Sequence, residues 1–277
     1  MKASLIVDNR AAHGEGPIWD AVNERLLWVD LTGCQLHALD PATGAVETRT
    51  FDEPVCTVAP HANGRTLVAF AKRIAWVDFV TGAILDTVCL IEPEKPGNRA
   101  NDGKLDPAGR FWIGTMSNNG SVLEAGALYR LDGSQLTRVL DHLTIANGLG
   151  WSTDARTMFF IDSPTRAVWA FDFNPADSSI SNKRTVVSVP DDLGIPDGMC
   201  VAPDDTLWVA HWGSACVCHW DPSNGRLLGK VDTACPHTTS CCLGPNGELF
   251  ITTSRLGLDD EALAAAPASG GLFKGSS

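Results

Sequence analysis

The sequence is short of positive charge. Its 21 Lys and Arg residues face 33 Asp and Glu, a formal net charge of −12 over 277 residues. Such a surface repels phosphate backbones and anionic headgroups, so no nucleic acid and no membrane is expected as a partner, whereas a neutral small molecule remains admissible. Nowhere do about 18 uninterrupted apolar residues occur, which argues against a spanning helix. The opening Met1-Lys2-Ala3-Ser4-Leu5-Ile6-Val7-Asp8 holds too short an apolar run for a signal peptide, and the chain is expected to be soluble and cytoplasmic. Low-complexity and Arg-rich tracts are also missing, while 44% of the residues are hydrophobic, enough for a large core.

Two chemistries lack their signatures. The nine cysteines are scattered without Cys-x-x-Cys spacing, which argues against a thiolate zinc site or a redox dithiol. They are expected as small packing residues in reduced form, Cys216 and Cys218 sharing one face of a strand. No Gly-x-Ser-x-Gly elbow is present, and the seven histidines, His13, His211 and His237 among them, form no spaced ligand pair or triad. Covalent nucleophilic catalysis is therefore not expected.

What the sequence does contain is a repeat. A turn followed by apolar or aromatic residues recurs as Glu24-Arg25-Leu26-Leu27-Trp28-Val29, Gly64-Arg65-Thr66-Leu67-Val68, Gly109-Arg110-Phe111-Trp112-Ile113, Arg156-Thr157-Met158-Phe159-Phe160, Asp205-Thr206-Leu207-Trp208-Val209 and Gly247-Glu248-Leu249-Phe250-Ile251. The anchors Leu27, Leu67, Phe111, Met158, Leu207 and Leu249 stand 40, 44, 47, 49 and 42 residues apart. A period in the forties is that of one four-stranded propeller blade. Further strand-like runs end in turn chemistry at Asp40-Pro41-Ala42-Thr43-Gly44, Asp78-Phe79-Val80-Thr81-Gly82 and Asp221-Pro222-Ser223-Asn224-Gly225. One sheet cannot bury both its faces alone, so the repeats predict an all-β, six-bladed β-propeller forming one domain over residues 1–277, in preference to a sandwich. The nine tryptophans fall mainly in blade strands and are expected as core.

A polar residue precedes each anchor at nearly constant distance. Ten to twelve residues upstream stand Glu15, Cys56, Asn101, Asn147, Asp197 and Thr239 with Ser240. In a propeller this phase is the start of the innermost strand, so carboxylates and amides would converge at one end of the central channel. Crowded carboxylates repel unless a cation separates them. Glu15, Asn147 and Asp197 offer only oxygen, which suits calcium, magnesium or manganese and is compatible with zinc or ferrous iron. Three protein ligands would leave positions for water and a substrate oxygen. The competing explanation is local: Asn101-Asp102-Gly103, Asn147-Gly148 and Asp197-Gly198 are also good turn sequences. Arg99, two residues from Asn101, would reach the same ligand from an extended segment, or pair with a surface acid.

These residues resemble the regucalcin and gluconolactonase family of six-bladed propeller lactonases. The resemblance runs from about Glu15 to Phe273. It rests on Gly14-Glu15-Gly16-Pro17 with Trp19, Asn98-Arg99-Ala100-Asn101-Asp102-Gly103-Lys104, Gly114-Thr115-Met116, Asn147-Gly148-Leu149, Ile161-Asp162-Ser163, Ser181-Asn182-Lys183-Arg184, Pro196-Asp197-Gly198-Met199-Cys200 and Thr238-Thr239-Ser240-Cys241-Cys242. It implies one divalent metal ion on Glu15, Asn147 and Asp197, and a sugar-lactone substrate bound by Arg99 and Asn101. The implied reaction is hydrolysis of an aldonolactone, gluconolactone or a pentonolactone, to the aldonic acid, with Asp197 as the catalytic base. Alternatives are a calcium-dependent phosphotriesterase-like hydrolase and a non-catalytic calcium-binding propeller. A monomer or weak homodimer is expected.

Two features depart from the family pattern. Where animal regucalcins carry an acidic residue after Gly-Thr-Met, this chain has the uncharged loop Ser117-Asn118-Asn119-Gly120, which leaves the substrate range open. The sequence also ends soon after Gly270-Gly271-Leu272-Phe273-Lys274, which leaves the closure of the ring open. Asp259-Asp260-Glu261-Ala262-Leu263-Ala264-Ala265-Ala266 predicts a short surface helix, acidic at its start.

Overall fold

The recurring apolar run becomes the second strand of a four-stranded antiparallel sheet in every repeat. In the computed structural model, which describes residues 1–61 and 65–276, these strands are Arg25–Asp30, Thr66–Phe70, Phe111–Ser117, Thr157–Asp162, Leu207–Trp212 and Glu248–Thr253. Gly64, in the turn of the second repeat, lies outside the described residues. A strand packed on both faces needs no polar alternation. Leu26, Leu27, Trp28 and Val29 are accordingly all buried. Outer strands such as Val46–Thr50 and Ile84–Leu90 are mostly exposed, so they leave little apolar trace in the sequence.

Six such sheets form the expected six-bladed β-propeller, with Gly14–Asp20, Val55–Pro60, Asn98–Leu105, Ala146–Trp151, Ile195–Val201 and Thr238–Leu243 as innermost strands. Apolar clusters weld each blade to the next. Val29 and Leu36 of the first blade meet Val58, Val68 and Phe70 of the second, and Trp112 and Leu128 of the third meet Leu149 and Phe160 of the fourth. The Asp-initiated turns form as expected: Asp40 Oδ1 accepts from the Ala42 N–H at 2.8 Å, and Gly44 supplies φ +75°.

Closure of the ring, open from the sequence, is a strand exchange between the ends. Ser4–Val7 pairs antiparallel with Leu272–Ser276 and becomes the outer strand of the sixth blade, whose other three strands come from the C-terminal part. Gly275 and Ser276 take part in this sheet opposite Leu249 and Glu248. The Met1 carbonyl also accepts from the Asp232 N–H of the fifth blade at 2.8 Å. The short helix is Asp260–Ala265, capped by Asp259, whose carboxylate accepts from the Ala262 N–H. All nine cysteines are free thiols, the Cys216 and Cys218 sulfurs lying 3.8 Å apart. Among the described residues, no helix is long and apolar enough to cross a membrane.

Candidate functional site

All six innermost strands lose register at one phase. Pairing lapses between Glu15 and Ile18, Val55 and Thr57, Ala100 and Gly103, Ala146 and Leu149, Pro196 and Met199, and Thr238 and Ser240. Such an irregularity bends the strand and re-aims a side chain that regular alternation would place elsewhere. Asn101, Asn147 and Asp197 stand inside these lapses and Glu15, still paired with Val29, stands at the edge of its own; all four line one cavity of about 300 Å³ together with Arg99. Cys56 and Thr239 complete the phase as buried residues, the Thr239 hydroxyl donating to the Gly14 carbonyl at 2.6 Å.

Asn147-Gly148 and Asp197-Gly198 are thus strand irregularities and not turns. Their glycines answer to crowding where neighbouring inner strands meet. A Cβ on Gly148 would lie 2.7 Å from the Asp197 carbonyl oxygen, and one on Gly198 would lie 2.1 Å from the Ser240 hydroxyl. The same crowding brings the polar residue of one blade against that of the next.

Asn147 is the hub. Its amide nitrogen donates to the Ser163 hydroxyl at 3.0 Å and to Asp197 Oδ1, while its own Oδ1 is buried with no hydrogen-bond partner among the described residues. A buried acceptor left unpaired is costly. Asn101 donates its amide to the Ala146 carbonyl at 2.9 Å, and its Oδ1 accepts from Arg99 Nη1 at 2.8 Å. Arg99 and Asn101 are therefore bonded to each other as well as facing the same cavity. The backbone N–H of Gly16 donates to Glu15 Oε2 at 3.1 Å.

Burial favours the neutral form of Glu15, Asp102, Asp197 and His13. Burial, reinforced by the charge of Asp102 and opposed by the Asn147 amide, pushes the Asp197 carboxyl up to about 8. Burial also drives Glu15 well above the usual carboxylate range, with Asp197 and then Asp102 adding to the rise. Asp102 is itself raised by burial, Lys104 opposing. His13 moves the other way, to about 4, through burial and then the Arg99 charge. Its ring is therefore neutral near pH 7, and the 3.8 Å approach of Nε2 to Glu15 Oε1 is not an ion pair.

Two desolvated carboxyl groups and an unpartnered amide oxygen fit a hard or borderline divalent cation, whose charge would let both carboxyls ionise. Among the described residues, no three His, Cys, Asp or Glu side chains group to hold a metal. An ion here would need the mixed set of Glu15, Asn147 and Asp197.

Several lining residues escaped the sequence reading. Trp212, expected as core, borders the cavity, as do His13, Ser163 and Met116. A signal existed: Met116, Ser163 and Trp212 each stand five residues after an anchor, at or just past the far end of a second strand. That phase meets the inner strand's polar phase at the same end of the channel. Ser254, at the same offset from Leu249, supports the rim by its 2.8 Å hydrogen bond to His13 Nδ1.

The chain is similar to known proteins over most of its length. Residues 13–255 match the family described as SMP-30/Gluconolactonase/LRE-like region. The chain is 38% identical to a regucalcin of Danio rerio over 279 residues, covering 99% of this chain and 94% of that protein. A calcium-binding regucalcin from Agrobacterium tumefaciens superposes with a TM-score of 0.93 at 24% identity, over 99% of this chain and 92% of that one, and so supports the fold. A gluconolactonase from Xanthomonas campestris superposes with a TM-score of 0.76 at 25% identity, over 98% of this chain and 87% of that one. With the family match spanning most of its length and a relative at this identity covered almost end to end, the chain belongs to the SMP-30/gluconolactonase family.

Proposed function

We propose that the cavity hydrolyses a small lactone to the corresponding hydroxy acid, with one divalent cation held by Glu15, Asn147 and Asp197. The observation that carries this reading is the buried, unpartnered Oδ1 of Asn147 beside Asp197, in the same cavity as Glu15. A bound cation would supply Lewis-acid activation of the ester carbonyl and of water. Calcium, magnesium, manganese, zinc and ferrous iron all suit the donors, and the calcium-binding relative favours trying calcium first.

The protein's own groups have separate tasks. Asp197 is the carboxylate placed to accept a proton from the attacking water, since it is buried beside Asn147 and faces the cavity. Ser163 and Asn147 hold it in place through the chain of hydrogen bonds described above. Arg99 and Asn101, locked to each other, orient the ring oxygen or a neighbouring polar group of the substrate. Neutral His13 and the adjoining indole of Trp212 border the cavity.

The site and the gluconolactonase described in Xanthomonas campestris together support this reaction class. Aldonolactones, δ-gluconolactone and the pentono-γ-lactones, are the first substrates to test, by release of acid in weak buffer. Acid release above the spontaneous rate supports the reading; spontaneous rates with every lactone and cation would refute it. The apolar wall of the cavity also suits a phosphotriester, so a triester belongs in the same assay.

A further inference from the structure

Resting on the lactonase reading, a narrower statement about its substrate comes from how the cavity divides. Its floor is polar, but internal bonds already claim much of that polarity. Arg99 Nη1 donates to the Ala100 carbonyl and to Asn101 Oδ1, the Asn101 amide to the Ala146 carbonyl, and the Asn147 amide to Ser163 and Asp197. The stretch Ser117-Asn118-Asn119-Gly120 after Met116 brings no carboxylate to the cavity, and Asn119 Oδ1 is occupied by the N–H and hydroxyl of Ser121. These bonds reduce the donors and acceptors left to receive a ring of hydroxyl groups.

The walls are apolar. Ile195 is paired with Trp212 across the hairpin of the fifth blade, Leu256 stands on the loop after the last second strand, and Met116 and Ile145 line the same cavity. Ile195 and Leu256 are 40% and 48% exposed, large aliphatic groups held open to solvent at a pocket mouth. Trp212 is fixed between two imidazoles: its ring stacks on His237 at 3.8 Å and 12°, and meets His13 edge-on at 5.8 Å. A rigid indole flanked by exposed aliphatic side chains loses little entropy on receiving an apolar group.

We infer that this pocket prefers lactones bearing an alkyl or aryl substituent beside the ring to polyhydroxylated aldonolactones. The ester would lie on the polar floor and the substituent against Trp212, Ile195 and Leu256. Burying hydroxyls that find no partner costs binding, while each methylene seated on the wall gains it. A preference of at least about tenfold in kcat/KM is expected, the order seen when a hydrophobic pocket distinguishes groups differing by a few carbons.

The test compares γ-nonalactone and γ-phenyl-γ-butyrolactone with γ-valerolactone, δ-gluconolactone and a pentono-γ-lactone on the cation-loaded protein, with paraoxon as a triester control. The same series is run on Ile195→Ser and Leu256→Ser, exposed positions whose substitution spares the core. The expected result is faster turnover of γ-nonalactone, with its pentyl chain, and of the phenyl lactone, with the ratio of kcat/KM for these over γ-valerolactone falling several-fold in both variants. Preference for the aldonolactones, or a ratio that neither substitution moves, would overturn the inference and leave the lactonase reading standing. Silence with every lactone, or turnover of paraoxon alone, would overturn the lactonase reading and the inference with it.

Discussion

Asp197→Asn is expected to make the metal-free protein more stable while destroying its cation site. The folded-state carboxyl is pushed up to about 8 from an ordinary 3.8, so it contributes no penalty below the ordinary value, where both folded and unfolded chains are protonated. As pH rises through the interval between these values, the unfolded chain releases its proton and the folded chain keeps its own. Stability therefore falls by about 1.4 kcal/mol per pH unit and levels off above the folded value. By pH 7 the loss reaches at most about 4 kcal/mol, which for a chain of this size corresponds to roughly 10 °C in Tm. The asparagine does not titrate and escapes the loss. Thermal unfolding of chelator-treated wild type and Asp197→Asn at pH 5 and pH 8 should show the variant gaining on wild type as pH rises. Calcium at a hundred times its Kd should restore about 2.7 kcal/mol to wild type and nothing to the variant. A stability difference that does not change with pH, or a calcium shift retained in the variant, would refute the electrostatic account.

Two further outcomes follow from the architecture. Gly198→Ala places a methyl 2.1 Å from the Ser240 hydroxyl, so it should cost about 1–3 kcal/mol in urea unfolding, and Ser240→Gly in the same chain should recover part of that. Removing residues 1–7 deletes the outer strand of the sixth blade and bares the edge of Leu272–Ser276. The truncated chain should unfold at lower temperature and associate through that edge, as light scattering during refolding would show.

The sequence made the ring legible because second strands such as Leu26-Leu27-Trp28-Val29 are buried on both faces and stand out as apolar runs at one period. Glu15, Asn101, Asn147 and Asp197 were legible for the opposite reason, as polar residues at a phase where a buried strand should be apolar. Their common cause, a register lapse in each inner strand, was not visible, since Asn-Gly and Asp-Gly describe a turn equally well. Closure was illegible because Ser4–Val7 is largely exposed and pairs across nearly the whole chain, Leu5 with Phe273. No local pattern encodes so distant a partner. Trp212 was misjudged because an aromatic residue at a strand end reads as core; only its packing against His13 and His237 and its place on the cavity reveal a wall.

The most direct test of the central claim is the initial rate of lactone opening by chelator-stripped protein before and after addition of each divalent cation, in wild type and Glu15→Gln. Glu15 is buried and lines the cavity with Asn147 and Asp197, so its neutral isostere should retain the fold while losing a charged ligand. Stripping should abolish turnover, a divalent cation should restore it in wild type, and Glu15→Gln should stay near the spontaneous rate. Turnover that survives stripping, or a cation response in Glu15→Gln equal to that of wild type, would contradict that claim.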